Sequence, residues 1–267
     1  MTKKTMSLVA VLLLVLSLGL LPAAAETEEN TIYVNIANAG KLEAAMEPIA
    51  LADADGDGAL TVNDALILIH DAKYEGGAAA GFATADSQYG PMITKLWGVE
   101  NGGSYGYYVN NTMSMGLTDP VAAGDVVYAF VYADAAGFSD AYSYFDKSQA
   151  EIADGEELTL TLSKADGFDA NYAPIYKPLE GAVITVDDIA TQFVTDAEGK
   201  AVIKLEAGSH IVSATAGETL LVPAVCAVAV QAAVAETSPA RTIGIILGIV
   251  VVIALIVVWM LKGKKKN

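Results

Sequence analysis

Cysteine is all but absent: Cys226 is the only one in 267 residues. No intrachain disulfide can form, so burial, hydrogen bonding or a bound ion must hold the fold. Cys226 lies in the apolar run Val222–Val228, which reads as a strand. A buried, inert thiol follows from that setting, with an interchain disulfide as the alternative. Histidine is nearly as scarce. His70 and His210 stand far apart, with no cysteine or second histidine at ligand spacing, so neither a zinc site nor a catalytic triad is legible. Each reads as an ordinary residue of its own helix or strand. Basic residues are few: 15 Lys and Arg against 32 Asp and Glu, a formal net charge of −17. All the acidic residues and only eight basic ones fall between residues 26 and 240, so that stretch carries about −24. Such a surface repels nucleic acid and anionic lipid and draws in cations or basic partners. Its plainest consequence is solubility.

The two ends are different in kind. Residues 1–25 have the parts of a secretory signal: Lys3 and Lys4, an apolar stretch from Ser7 to Leu21, Pro22, and the small residues Ala23, Ala24 and Ala25. Residues 242–261 are apolar over the ~20 positions a membrane-spanning helix needs. Lys262, Lys264, Lys265 and Lys266 mark residues 262–267 as a cytoplasmic tail, which places the preceding domains outside. Gly244 and Gly248 form a G-x-x-x-G pair that suits a weak homodimer. This end resembles that of sortase-anchored wall proteins. Glu236 to Arg241 replaces their L-P-x-T-G motif, so 236–241 reads as a linker and the helix as the final anchor. The expected plan is a single-pass cell-membrane protein of a Gram-positive surface.

Between the ends, Asp53-Ala54-Asp55-Gly56-Asp57-Gly58-Ala59-Leu60-Thr61-Val62-Asn63-Asp64 reads as a twelve-residue calcium loop. Calcium takes six to eight oxygens. Asp53, Asp55 and Asp57 supply carboxylates at positions 1, 3 and 5, and Gly58 allows the sharp turn at position 6. Ala59 offers its carbonyl, Thr61 its hydroxyl, and Asp64 a carboxylate at position 12. The pattern resembles an EF-hand loop, and more closely the dockerin variant. Two departures stand out: there is one loop where a dockerin has two, and Pro48 sits where an entering helix would run. A competing reading is an acidic turn followed by the capping box Thr61-x-x-Asp64. The expected ion is Ca2+, structural and weakly held, around 10⁻⁴–10⁻³ M.

Residues 26–150 read as strands, one helix from Val62 to about Lys73, then more strands, which suggests a small α+β sheet. Gly106-Tyr107-Tyr108-Val109-Asn110-Asn111, followed by Gly124-Asp125-Val126-Val127-Tyr128, resembles the transcobalamin-like C-terminal domain of bacterial surface proteins. That resemblance implies a β-grasp-like fold. Trp97, Tyr105, Tyr107 and Tyr108 belong to an aromatic-rich stretch that could line a groove for a corrinoid-like or glycan-like ligand. Strand packing is the simpler use of such residues.

Residues 151–235 show short alternating segments broken by glycine turns, the pattern of an all-β sandwich. Gly181-Ala182-Val183-Ile184-Thr185-Val186, Thr195-Asp196 and Gly208-Ser209-His210 resemble carboxypeptidase-regulatory-like and collagen-adhesin stalk modules. The expectation from sequence is therefore a β-grasp-like α+β domain, an all-β sandwich and one C-terminal membrane helix. It would act as a calcium-stabilised binding or adhesion protein without catalytic activity. The alternative is a receptor that captures a small ligand.

Overall fold

The computed structural model describes residues 30–170 and 173–232. The first half opens with β1 (Thr31–Asn38) and β2 (Lys41–Ala50), then the acidic loop and helices α1 (Val62–Lys73) and α2 (Gly77–Gly81). A separate hairpin follows, β3 (Ala83–Ser87) with β4 (Gly90–Lys95), then β5 (Tyr105–Val109), β6 (Thr112–Met113) and β7 (Val126–Val131). These strands form one sheet in the order β2-β1-β7-β5-β6. β1 and β7 run parallel at its centre, and β2 and β5 flank them antiparallel. Pro48 lies in β2, at the sheet edge, where a strand tolerates a residue without an N–H.

Helix α1 starts at Thr61, whose extended backbone (φ −131°, ψ 171°) and capping box with Asp64 set its first turn. It buries Val62, Ala65, Leu66 and Ile69 against Ile32, Val34 and Ile36 of β1 and Val127, Ala129 and Val131 of β7. Fully burying each large aliphatic side chain stabilises by about 1.5–3 kcal/mol.

The second half holds β8 (Ala141–Phe145), β9 (Gln149–Ala153), β10 (Glu157–Phe168), β11 (Pro174–Pro178), β12 (Val183–Val186) and β13 (Ile189–Val194). It ends with β14 (Lys200–Lys204), β15 (Gly208–Thr215), β16 (Leu221–Val222) and β17 (Cys226–Gln231). One sheet runs β11-β10-β8-β16, with β14 paired to β10; the other runs β13-β12-β15-β17-β9. Leu158, Leu160 and Leu162 alternate inward along β10 and meet Ile184, Val212, Cys226 and Val228 of the facing sheet. Two sheets closed over one apolar layer make a β-sandwich.

The two halves are joined by a third core. Tyr108, Tyr128 and Phe130 cover the face of the first sheet opposite α1, and they pack on Tyr142, Val222 and Val225. This corrects the expected fold class. The described chain is mostly strand, with helices of only 12 and 5 residues. It is not an α+β β-grasp domain beside a separate sandwich. The physical reason is that the first sheet needs two covers. One is α1, and the other comes from strands near and beyond residue 140. Buried on both faces, β7 is a continuous apolar run from Val126 to Val131 rather than an alternating one.

The expected signal segment 1–25, linker 236–241, membrane span 242–261 with Gly244 and Gly248, and tail 262–267 lie outside the described residues. Among the described residues no helix is long and apolar enough to cross a membrane. The single-pass membrane assignment, and the cell-surface location built on it, are therefore not supported.

A candidate metal site in the acidic loop

The acidic loop leaves strand β2 and enters α1, so it is strand–loop–helix and has no entering helix of the EF-hand kind. Gly56 (φ +80°) and Gly58 (φ +87°) turn the chain back on itself. Their N–H groups donate to the two carboxylate oxygens of Asp53, at 2.8 and 3.0 Å. Asp55 accepts from the Asp57 N–H at 3.1 Å and from Asn63 Nδ2 at 2.8 Å. Asp57 accepts from the Ala59 N–H at 2.8 Å. One oxygen each from Asp53, Asp55 and Asp57 lies within 4.8 Å of the others, and all three residues are exposed. Their carboxylates repel at that spacing, and a divalent cation would remove the repulsion.

Asp64 is not one of that group and is fully buried. Its Oδ1 accepts from the N–H groups of Ala54 and Asp55, at 2.7 and 3.2 Å. Its Oδ2 accepts from the Thr61 N–H and hydroxyl, at 2.9 and 2.7 Å. Four donors use the roughly four lone pairs a carboxylate offers. Thr61 Oγ is likewise committed, since it also accepts the Asp64 N–H at 3.4 Å. Burial alone would push the Asp64 carboxyl up; the hydrogen bonds from Thr61, Ala54 and Asp55 outweigh it and hold the group below its ordinary value. Of the six predicted ligands, Asp53, Asp55 and Asp57 are therefore gathered with lone pairs to spare. Ala59 belongs to the same turn, its N–H held by Asp57. Thr61 and Asp64 serve as the cap and the anchor of the loop. A calcium ion would be held by the three aspartates, the Ala59 carbonyl and water.

The four aromatic residues proposed for a groove do not share one. Trp97, Tyr105 and Tyr107 pack against the core under α1, whereas Tyr108 faces the opposite core. Alternation along β5 sends neighbouring tyrosines to opposite faces of the sheet. The Tyr105 hydroxyl lies 2.8 Å from the carbonyls of both Thr94 and Val99 and accepts from the Asn101 N–H at 3.2 Å, tying a loop down.

His70 is more than an ordinary helix residue. It is fully buried among Tyr74, Phe82 and Trp97, with ring centroids 6.0, 5.2 and 5.1 Å away. Its Nδ1 donates to the Leu66 carbonyl at 2.6 Å, and Nε2 accepts the backbone N–H of Trp97 at 3.0 Å. Those partners require the neutral ring. Burial pushes its pKa down, against smaller opposing effects of the Leu66 carbonyl and Asp71. The sequence signal was its i+4 spacing from Leu66 on the apolar face of the helix. His210 is the reverse case. Its Nδ1 meets Asp187 Oδ2 at 2.8 Å and its Nε2 meets the Glu206 carbonyl at 3.0 Å, so both nitrogens face acceptors. The Asp187 hydrogen bond pushes its pKa up. Cys226 is fully buried, and burial pushes its thiol up to about 12.

The two histidines give stability a pH dependence with two arms. His70 has a folded pKa below 6.5, so below pH 6.5 the unfolded chain binds more protons and stability falls with acidification. His210 has a folded pKa above 6.5, so its contribution is complete below pH 6.5 and is lost as pH rises through the folded value. Denaturant unfolding across pH 5–8 should show the acid arm vanish in His70→Gln and the alkaline arm in His210→Gln. An unchanged profile in both variants would refute these assignments.

No protein-family model matches the chain, and no curated protein does. Among solved structures, the fibronectin(III)-like modules of Clostridium thermocellum CbhA align at 15% identity over 58% of this chain and 78% of that one, with a TM-score of 0.28. The tandem Ig repeats of Dlar align at 10% identity over 57% and 75%, with a TM-score of 0.24. The N-terminal Ig1-2 module of the Drosophila receptor protein tyrosine phosphatase DLAR aligns at 11% identity over 57% and 75%, also at 0.24. These modules are what parts of the chain are similar to, and at such TM-scores the likeness carries no inference about its function.

Proposed function

We propose that this protein is a non-catalytic binding module in which a calcium ion staples the acidic loop to the first sheet. The observation that carries the reading is the convergence of Asp53, Asp55 and Asp57 oxygens within 4.8 Å, at the junction of β2 and α1. The dockerin-like loop pattern supports the choice of calcium, since all the available donors are hard oxygens. The stalk-like second half, a β-sandwich, fits a protein that presents a surface rather than one that turns over substrate. With three carboxylates and no bidentate position-12 ligand, the affinity belongs around 10⁻⁴–10⁻³ M.

Calcium titration of the full-length chain, followed by calorimetry, tests this. One site in that range is expected, and it should be lost in the Asp53→Asn, Asp57→Asn double variant. No heat of binding at 10 mM calcium, set as about tenfold above the weak limit, would refute the metal.

A further inference from the structure

A second feature lies where the two halves meet, and it shares no residue with the acidic loop. A cavity of about 240 Å³ opens beside Asn35 of β1, the start of β7, the β5–β6 turn, β8 and the turn after it. The turn is Asn110-Asn111, and both residues have positive φ (49° and 62°), as a two-residue hairpin of this hand requires. It is held from both sides. Asn110 Nδ2 donates to Asp125 Oδ1 at 2.7 Å, and Asn110 Oδ1 accepts the Val126 N–H at 2.9 Å. The Tyr142 hydroxyl donates to Asn111 Oδ1 at 2.9 Å, and the Tyr176 hydroxyl donates to the Asn111 carbonyl at 2.8 Å. The Asn111 amide group is therefore fixed with its oxygen engaged. Among the described residues no protein acceptor takes its two N–H groups.

The walls decide the ligand class. They include Asn110, Asn111, Tyr142, Tyr144, Asp146 and Ser148, and no lysine, arginine or histidine. An anionic ligand has no counter-charge there. Asp146, the one carboxylate, already accepts the Thr161 N–H at 2.8 Å. The Asn111 N–H groups and the hydroxyls of Tyr144 and Ser148 are the lining groups left for a ligand, and tyrosine rings give an apolar wall. The volume is below the ~300–1,000 Å³ of sites for drug-sized ligands, so it admits a single ring. We infer that the seam between the two halves is a binding site for a neutral, polyhydroxylated ring of monosaccharide size. This deepens the binding reading of the protein without depending on calcium.

Ligand-observed saturation-transfer NMR tests it on the full-length chain. The probes are glucose, galactose, mannose and N-acetylglucosamine, with glucuronate and glucosamine as charged controls. At least one neutral sugar should bind and shift the ring resonances of Tyr142 and Tyr144. Asn111→Asp keeps the positive-φ preference and an oxygen for Tyr142 but removes the two N–H donors. It should weaken binding about tenfold, the effect of losing one or two hydrogen bonds. Binding of none of the neutral sugars, binding of the charged controls alone, or shifts confined to other residues would overturn the proposal. So would an unchanged affinity in a folded Asn111→Asp protein. The titration is repeated in chelator. Sugar binding that persists there keeps the cavity whatever becomes of the metal site, and calcium binding without sugar binding defeats the cavity alone.

Discussion

Tyr142→Ala should lower the unfolding free energy by about 3–5 kcal/mol, the range for truncating a large buried aromatic side chain. Tyr142 is 3% exposed. Its ring stacks on Tyr108 with centroids 3.7 Å apart and planes 3° apart, and it meets Tyr128 edge-on at 5.7 Å and 73°. Tyr108 and Tyr128 belong to the first sheet, whereas Tyr142 belongs to the sandwich, so the truncation opens a void where the halves join. Tyr142→Phe keeps the ring and loses only the hydrogen bond to Asn111, which should cost about 0.5–1.5 kcal/mol. Urea denaturation measures both. A single transition that moves to lower urea in the order wild type, Phe, Ala is the expected result. If the alanine variant unfolds like wild type, the seam is not a core.

Asp64→Ala should cost about 1.5–5 kcal/mol, and most of that loss should appear in chelator as well as in calcium. Losing a capping side chain costs about 0.5–2 kcal/mol. Leaving one buried N–H without an acceptor adds about 1–3 kcal/mol. Asp64 accepts from Ala54, Asp55 and Thr61 whether or not an ion is bound. Its pH signature follows from its depressed pKa: the contribution is full above the ordinary value of 3.8 and is lost as pH falls through the folded value. Were Asp64 a calcium ligand above all, Asp64→Ala would match wild type in chelator and differ only in calcium.

Local patterns carried much of the fold. The alternation of Thr31–Ile36 and of Leu158, Leu160 and Leu162 marks strands that the structure contains, and Thr61-x-x-Asp64 marks the start of α1. What failed was anything that depended on a distant partner. The second cover of the first sheet comes from Tyr142, Val222 and Val225, and no periodicity near β7 announces it. The α+β reading missed that cover and treated the sheet as a domain of its own. Tyr105, Tyr107 and Tyr108 looked like one aromatic patch because they are adjacent in sequence, yet a strand sends adjacent residues to opposite faces. In the loop, spacing placed Asp53, Asp55 and Asp57 together. It could not show that four N–H and O–H donors already occupy Asp64. The hydrogen bonds of Asn111 to Tyr142 and Tyr176 span long stretches of chain and leave no mark in either segment.

The most direct test of the calcium-stapled reading is the melting temperature of the full-length chain in 10 mM calcium and in chelator, beside the Asp53→Asn, Asp57→Asn variant. An ion bound around 10⁻³ M would stabilise the wild type by about 1.4 kcal/mol at that ~10 mM concentration. This raises its melting point by roughly 3–6 °C and leaves the double variant unmoved. Equal melting temperatures with calcium and chelator in the wild type would contradict the account and reduce the three aspartates to a solvated turn.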